Sequence, residues 1–233
     1  MPTRALLLET PALGAAAQMA LDEAVLEGVE GLSLRFYRWA GPVPHAVTFG
    51  ISQEYDAVLA AVRERWGGAS MPLVRRATGG GIVHHDGDLT FSLTFPWPTL
   101  SDPGLVYKDI HLAAHLGFKA LGVETALWSP GRTEGFRLQC FSGPEPKDLV
   151  SPAGVKALGG ALRRLRGRGL YQGSLRPEVL GTGAELSRQA IVEGLSVSWK
   201  ALFEPAEPSA AVSARAEELR RQRYESDRWN RRR

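Results

Sequence analysis

The chain has 233 residues, 44% hydrophobic and 23% charged, ordinary globular usage with enough length to bury roughly 70% of the unfolded surface in one domain or two small ones. No run reaches the roughly 18 uncharged apolar residues of a membrane span, and the lone Cys140 excludes an intrachain disulfide and suggests the cytoplasm. Of the net charge of +3, residues 214–233 supply +4 and the rest −1, so the basicity belongs to a helical, Arg-rich segment over 206–233 after a 1–205 domain, and neither nucleic acid nor membrane is an expected partner.

Ala5–Leu8 is apolar and stops at Glu9, too short for a signal-peptide core, and predicts a first strand. Thr10-Pro11 predicts a helix start, and the apolar spacing carries that helix to Gly28. Leu34–Trp39 and Ala46–Gly50 predict strands, and Leu59–Trp66 predicts a helix ended by Gly67-Gly68. Leu73–Arg76 then leads into a glycine cluster. Leu89–Phe95 alternates without exception, with large apolar residues at odd positions and Ser or Thr at even ones. Ile110–Leu121 predicts a helix, Phe136–Phe141 a strand, and residues 156–175 a hairpin, after which the chain is expected to be helical. Strands and helices interleave without the rhythm of a doubly wound sheet. The expectation is an α+β (mixed α/β) fold with a largely antiparallel sheet flanked by helices.

Three segments can carry chemistry. In the first, Arg75 and Arg76 precede Thr78-Gly79-Gly80-Gly81, and Val83-His84-His85-Asp86 follows. Three glycines allow either a tight turn between strands or a backbone that a ligand approaches closely, with two arginines to attract an anion. The Gly-Lys-Ser/Thr ending of a P-loop is missing. Adjacent His84 and His85 face opposite sides of a strand and do not pair on a metal. The second segment is Gly154-Val155-Lys156-Ala157-Leu158-Gly159, whose lysine sits among small and apolar neighbours. It reads either as a surface hairpin lysine or as a partly desolvated cation beside exposed backbone. Third, Cys140 is either a small buried hydrophobe or, in an electropositive setting, a nucleophile.

In this order, the segments resemble the lipoate–protein ligase and octanoyltransferase family, which shares its catalytic domain with biotin–protein ligases. The resemblance covers about residues 15–200. Gln18–Ala24 is similar to the family's first helix, and Leu34–Trp39 with Phe49-Gly50 and Gln53 to its next strand and loop. Arg75-Arg76-x-Thr78-Gly79-Gly80-Gly81-x-Val83-x-His85-Asp86 is similar to its signature loop. Gly154-x-Lys156-x-x-Gly159 matches its lysine motif, and Gln172-Gly173-Ser174-Leu175 the strand that follows.

What the resemblance implies is a biotin/lipoate-ligase-like fold that transfers an octanoyl or lipoyl group to a lysine of the glycine-cleavage H protein or of an E2 lipoyl domain. It implies substrate-binding roles for Arg75, Arg76, Thr78, Gly79, Gly80, Gly81, His85 and Gly159, with the glycine loop against the acyl chain. It implies catalytic roles for Lys156, at the reacting carbonyl, and for Cys140, as a thioester nucleophile. Asp86–Ser92 is similar to the transferase branch, Cys140-Phe141 stands at about its nucleophile position, and there is no room for the accessory C-terminal domain of many ligases. That branch takes octanoate from acyl carrier protein and needs no cofactor, whereas the ligase branch uses ATP and Mg. Val155 in place of Arg, Gly160-Ala161-Leu162 in place of Ser-Ala-Gln, and Gln172 in place of His depart from the pattern. A non-catalytic protein that binds acyl carriers is the alternative class.

Overall fold

A computed structural model describes residues 2–67, 71–97, 101–129 and 143–232. Strand β1 (Thr3–Leu8) forms on the first apolar run, and helix α1 (Ala15–Gly28) follows. The helix starts later than Thr10-Pro11 predicts because Leu13 is bridged to Trp39. Its N–H donates to the Arg38 carbonyl and its own carbonyl accepts from Ala40, which commits the preceding chain to an extended path. Next come β2 (Leu32–Phe36), β3 (Ala46–Phe49) and α2 (Tyr55–Trp66), the last closed by Gly67 in a left-handed conformation. After β4 (Leu73–Arg75), β5 (Val83–His85) and β6 (Leu89–Pro96), helix α3 spans Pro103–Ala120. It begins ahead of Ile110 because the Asp102 carboxylate accepts from the Gly104 and Leu105 amides at 2.7 and 3.1 Å, with Pro103 at the first helical position.

Short strands β7 (Ala126–Leu127) and β8 (Leu149–Val150) precede the predicted hairpin, which is β9 (Lys156–Leu165) and β10 (Arg168–Leu175). The strand expected over Phe136–Phe141 lies outside the described residues. Helix α4 (Ala184–Ser198) is followed by β11 (Ala201–Ala206), a strand where only helix was expected. It pairs in parallel with β1 and so covers that strand's free edge; as the new edge strand it tolerates Pro205. Helices α5 (Ala210–Leu219) and α6 (Asp227–Asn230) complete the described chain.

The main sheet has the order β11-β1-β2-β6-β10-β9-β8-β7, parallel only across β11-β1-β2, and a second sheet has the order β4-β3-β5. The alternation in β6 sorts its faces between two interiors. Phe91, Leu93 and Phe95 enter the core under α3 and α4, while Thr90, Ser92 and Thr94 are also buried, on the side facing α1. Helices α3 and α4 cross at backbone distance, since a Cβ on Gly117 would fall 1.9 Å from the Ala190 carbonyl oxygen. Along α1, Val212 and Leu219 of α5 share a cluster with Met19, Ala20 and Ala24. No helix among the described residues is long and apolar enough to cross a membrane.

Candidate active site

Lys156 opens β9 with its side chain buried and its ammonium 2.8 Å from Asp148 Oδ2. Asp148 is fully buried, and it also accepts from the Tyr107 hydroxyl at 2.5 Å and the Glu145 amide at 2.7 Å. The Gly160 amide donates to the Tyr107 oxygen at 3.1 Å, which ties this cluster back to β9. Gly159 has a steric reason: a Cβ there would lie 2.3 Å from Lys156 Cε and 2.6 Å from Nζ. The lysine therefore lies across bare backbone, and this explains the spacing between the two residues. Behind it, His111 bonds the Tyr171 hydroxyl at 2.7 Å and stacks on Tyr107 at 4.1 Å. Burial, reinforced by the Lys156 charge, pushes its pKa down to about 3, so the imidazole is neutral.

From Gly159 a narrow slot of about 30 Å³ runs between the main sheet, α1 and the small sheet. Gly159 and Ala161 on β9 and Gln172 and Ser174 on β10 line it from one side, and Met19 of α1 and Tyr37 from another. Thr48, Arg76, Val83, His85 and Thr90 complete the wall. One end is polar and locked. Gln172 Nε2 donates to Asp22 Oδ2 at 2.7 Å, and its Oε1 accepts from Thr78 at 2.7 Å. Asp22 also receives bonds from Arg35, Tyr37 and Ser92, and Arg35 reaches Gln18 one turn earlier on α1. Unpaired, this buried carboxylate or guanidinium would be costly. As a network, they fix α1 against the sheet.

His85 bridges the two sheets. Its Nε2 lies 2.8 Å from Thr48 Oγ1, and its Nδ1 lies 3.1 Å from Asp88 Oδ2. Asp88 also accepts from Thr90 at 2.8 Å and Ser174 at 2.5 Å. Burial alone would raise its pKa, but His85 and these hydroxyls outweigh it and hold the carboxyl below its usual value.

The glycine turn is braced by Arg76, whose guanidinium donates to the Gly79 and Gly81 carbonyls at 3.0 and 2.9 Å and to Thr48 at 2.9 Å. The turn also presses on Gly50, where a Cβ would fall 2.0 Å from the Gly80 oxygen, and Gly80 itself has a φ of 82°. The geometry is that of a tight turn, with Arg76 rather than the three glycines lining the slot. Arg75 points elsewhere. Its guanidinium donates to the carbonyls of Ile51, Gln53, Trp229, Asn230 and Arg232.

The structure therefore brings Gly159, Arg76 and His85 to one slot, with Lys156 lying against Gly159, Thr78 bonded to the lining Gln172, and the turn of Gly79, Gly80 and Gly81 tied to it through the Gly79 and Gly81 carbonyls on Arg76. It leaves Arg75 away from that slot, and Cys140 lies outside the described residues. Sequence reasoning missed Asp148, Tyr107, Asp22, Arg35 and Asp88. The available signal was a charge within a buried stretch of an element, as with Arg35 in Leu32–Phe36 and Asp22 in the buried run from Gln18 to Leu26 of α1.

A family model described as the lipoyl protein ligase A/B catalytic domain matches residues 14–180. The chain belongs to this family. The matched span takes in α1, the glycine turn, Lys156 and β10. Among the family's curated members, the chain is 33% identical to the octanoyltransferase LipM of Oceanobacillus iheyensis over 72% of its own length. That alignment takes in 62% of the relative, so less than two thirds of its length is matched. LipM of Brevibacillus brevis is 29% identical over 96% of this chain and 97% of that protein. In fold, the chain resembles Ta0514 of T. acidophilum, solved with bound lipoic acid, with a TM-score of 0.77 and 23% identity over 99% of this chain and 100% of that one.

Proposed function

We propose that this lipoyl protein ligase A/B family member is a cytoplasmic acyltransferase that carries an octanoyl group from acyl carrier protein to a lysine of an H protein or E2 lipoyl domain, through a thioester on Cys140. The observation that carries the reading is the buried Lys156 ammonium, held by Asp148 across Gly159 where the slot begins. We assign the acyl chain to the slot between Met19, Val83 and Ala161, with its carbonyl toward the lysine. The names of the curated relatives support octanoyl transfer, and lipoic acid in Ta0514 supports a medium-length acyl group.

The chemistry follows from a fixed cation at the reacting carbonyl. The Cys140 thiolate attacks the donor thioester, a tetrahedral oxyanion forms near Lys156, and the carrier's thiol leaves as thiolate. The acceptor amine then attacks the acyl-enzyme, Cys140 leaves as thiolate, and the amine's proton passes to it or to water. A nearby ammonium both lowers the thiol pKa and stabilises the oxyanion. This route needs no cofactor, because the donor is already activated. ATP and Mg would be required only if free acid were the substrate.

Incubation with octanoyl carrier and H protein, followed by the mass of the H protein, tests the reading. Gain of one octanoyl group without ATP is expected. Gain only from free octanoate with ATP would place the protein in the ligase branch, and no gain in either mixture would leave a carrier-binding protein.

A further inference from the structure

Arg75 and the segment from Arg223 to Arg232 form a built arrangement that the acyl-transfer chemistry does not use. Strand β4 is an edge strand of the small sheet, and α6 covers that edge with side chains. Asn230 Oδ1 accepts from the Arg75 amide at 2.9 Å, and the Trp229 indole N–H donates to the Arg75 carbonyl at 2.9 Å. The Arg75 guanidinium then crosses to carbonyls on both sides, Ile51 and Gln53 ahead of α2 and Asn230 and Arg232 at the end of α6. The next residue, Arg76, is the one that braces the glycine turn and faces the slot.

The same segment grips the opposite wall. Tyr224 donates to Glu23 Oε2 at 2.7 Å, and Arg223 meets Glu23 Oε1 at 2.6 Å, where Arg163 of β9 also arrives at 2.9 Å. Glu23 lies one helical turn beyond Met19, which lines the slot, and Arg163 lies two residues beyond Ala161 on the same strand face. Asn230 joins the two grips, since its amide donates to the Tyr224 and Ser226 carbonyls. One short segment is thus bonded to α1 on one side of the slot and to the root of the glycine turn on the other.

We infer that residues 223–232 act as a strap that sets the spacing of the two slot walls, with Arg75 as a positioning residue for Arg76 and the glycine turn. This deepens the acyl-transfer reading and rests on it for its kinetic consequence: the strap governs which acyl chains the slot holds. A strap with no such role would affect only how much protein is folded.

The test combines amide hydrogen exchange with kinetics on the full chain. Asn230→Ala removes the amide that joins the two grips, and Trp229→Phe is a milder variant that deletes only the bond to the Arg75 carbonyl while keeping a ring. Losing one such bond should speed exchange at residues 76–81 about five- to tenfold, with the core strands β6 and β10 unchanged. For octanoyl transfer, KM should rise by a similar factor while kcat changes less than about threefold, and the preference for octanoyl over shorter or longer donors should narrow. Unchanged exchange at residues 76–81 in both variants would overturn the strap. So would faster exchange accompanied by an unaltered KM and chain-length profile. If no donor is turned over even by the wild type, the acyl-transfer reading fails. The exchange data and the affinity for an octanoyl thioester analogue then still decide whether the strap sets the slot.

Discussion

Replacing Gly159 with alanine is the most selective perturbation of the site. The added Cβ would lie 2.3 Å from Lys156 Cε and 2.6 Å from Nζ, against an ordinary contact of about 3.5–4 Å between carbons. The lysine end must therefore move by at least about 1 Å, and the obstacle is a flexible side chain rather than backbone. Overpacking of this kind costs about 1–3 kcal/mol, and the cost should fall at the low end because the chain can swing aside. Catalysis has no such tolerance, since a misplacement of about 1 Å can cost on the order of 10²-fold. Gly160→Ala is the counterpart: its Cβ would strike the buried Tyr171 ring, so stability rather than the lysine is the first casualty. Initial rates of octanoyl transfer and thermal unfolding, measured on both variants, separate the two effects. If Gly159→Ala kept more than half of the wild-type rate, the ammonium's position would not matter and the steric argument would fail.

Lys156→Met should lower turnover on the order of 10²–10³-fold and destabilise the fold by about 3 kcal/mol, because Asp148 is left as a buried charge without its cation. Adding Asp148→Asn should restore most of the stability in urea unfolding without restoring turnover; recovery of both would make the lysine structural. Ala161→Phe fills the slot beside Gln172, and at about 0.8 kcal/mol per methylene it should disfavour octanoyl over butyryl donors by at least about tenfold in kcat/KM. Equal losses for both donors would place the acyl chain elsewhere. His111 has a folded pKa of about 3, below the ordinary 6.5, so its contribution to stability is complete above about pH 6.5 and drains away as pH falls toward 3. Between pH 7 and 5 this loss is about 2 kcal/mol, and His111→Gln should lose that much less over the same interval in denaturant titrations. An identical slope in the variant would contradict the assignment.

Much of the fold was legible because its elements follow strong local rules. Leu89–Phe95 reads as a strand from its unbroken alternation, and the hairpin expected over residues 156–175 is β9 and β10. The helix start at Ala15 was hidden, because the pairing of Leu13 with Trp39 is a tertiary contact that overrides the Thr-Pro signal. Strand β11 was hidden for the same reason, since what selects it is the unpaired edge of β1. In the site, the glycines and Lys156 stood open to two readings as residues and were singled out by the family resemblance of their motifs; the structure supplies a reason for the lysine motif's spacing in the room that Gly159 leaves for the lysine. Asp148 was not legible, because nothing near it in the chain indicates that its carboxylate meets an ammonium eight residues on. Arg75 and Arg76 look alike as neighbours, yet they point to different tasks, one to backbone carbonyls of the strap and one to the slot.

An acyl-enzyme chase tests the central claim most directly. The protein is mixed with octanoyl carrier alone, its intact mass and the modified peptide are recorded, and H protein is then added. The account predicts one octanoyl group on Cys140, formed without ATP and lost as the H protein gains the same group, with Cys140→Ala showing neither. Acylation of the H protein by Cys140→Ala at the wild-type rate, with no adduct on the wild type, would contradict it.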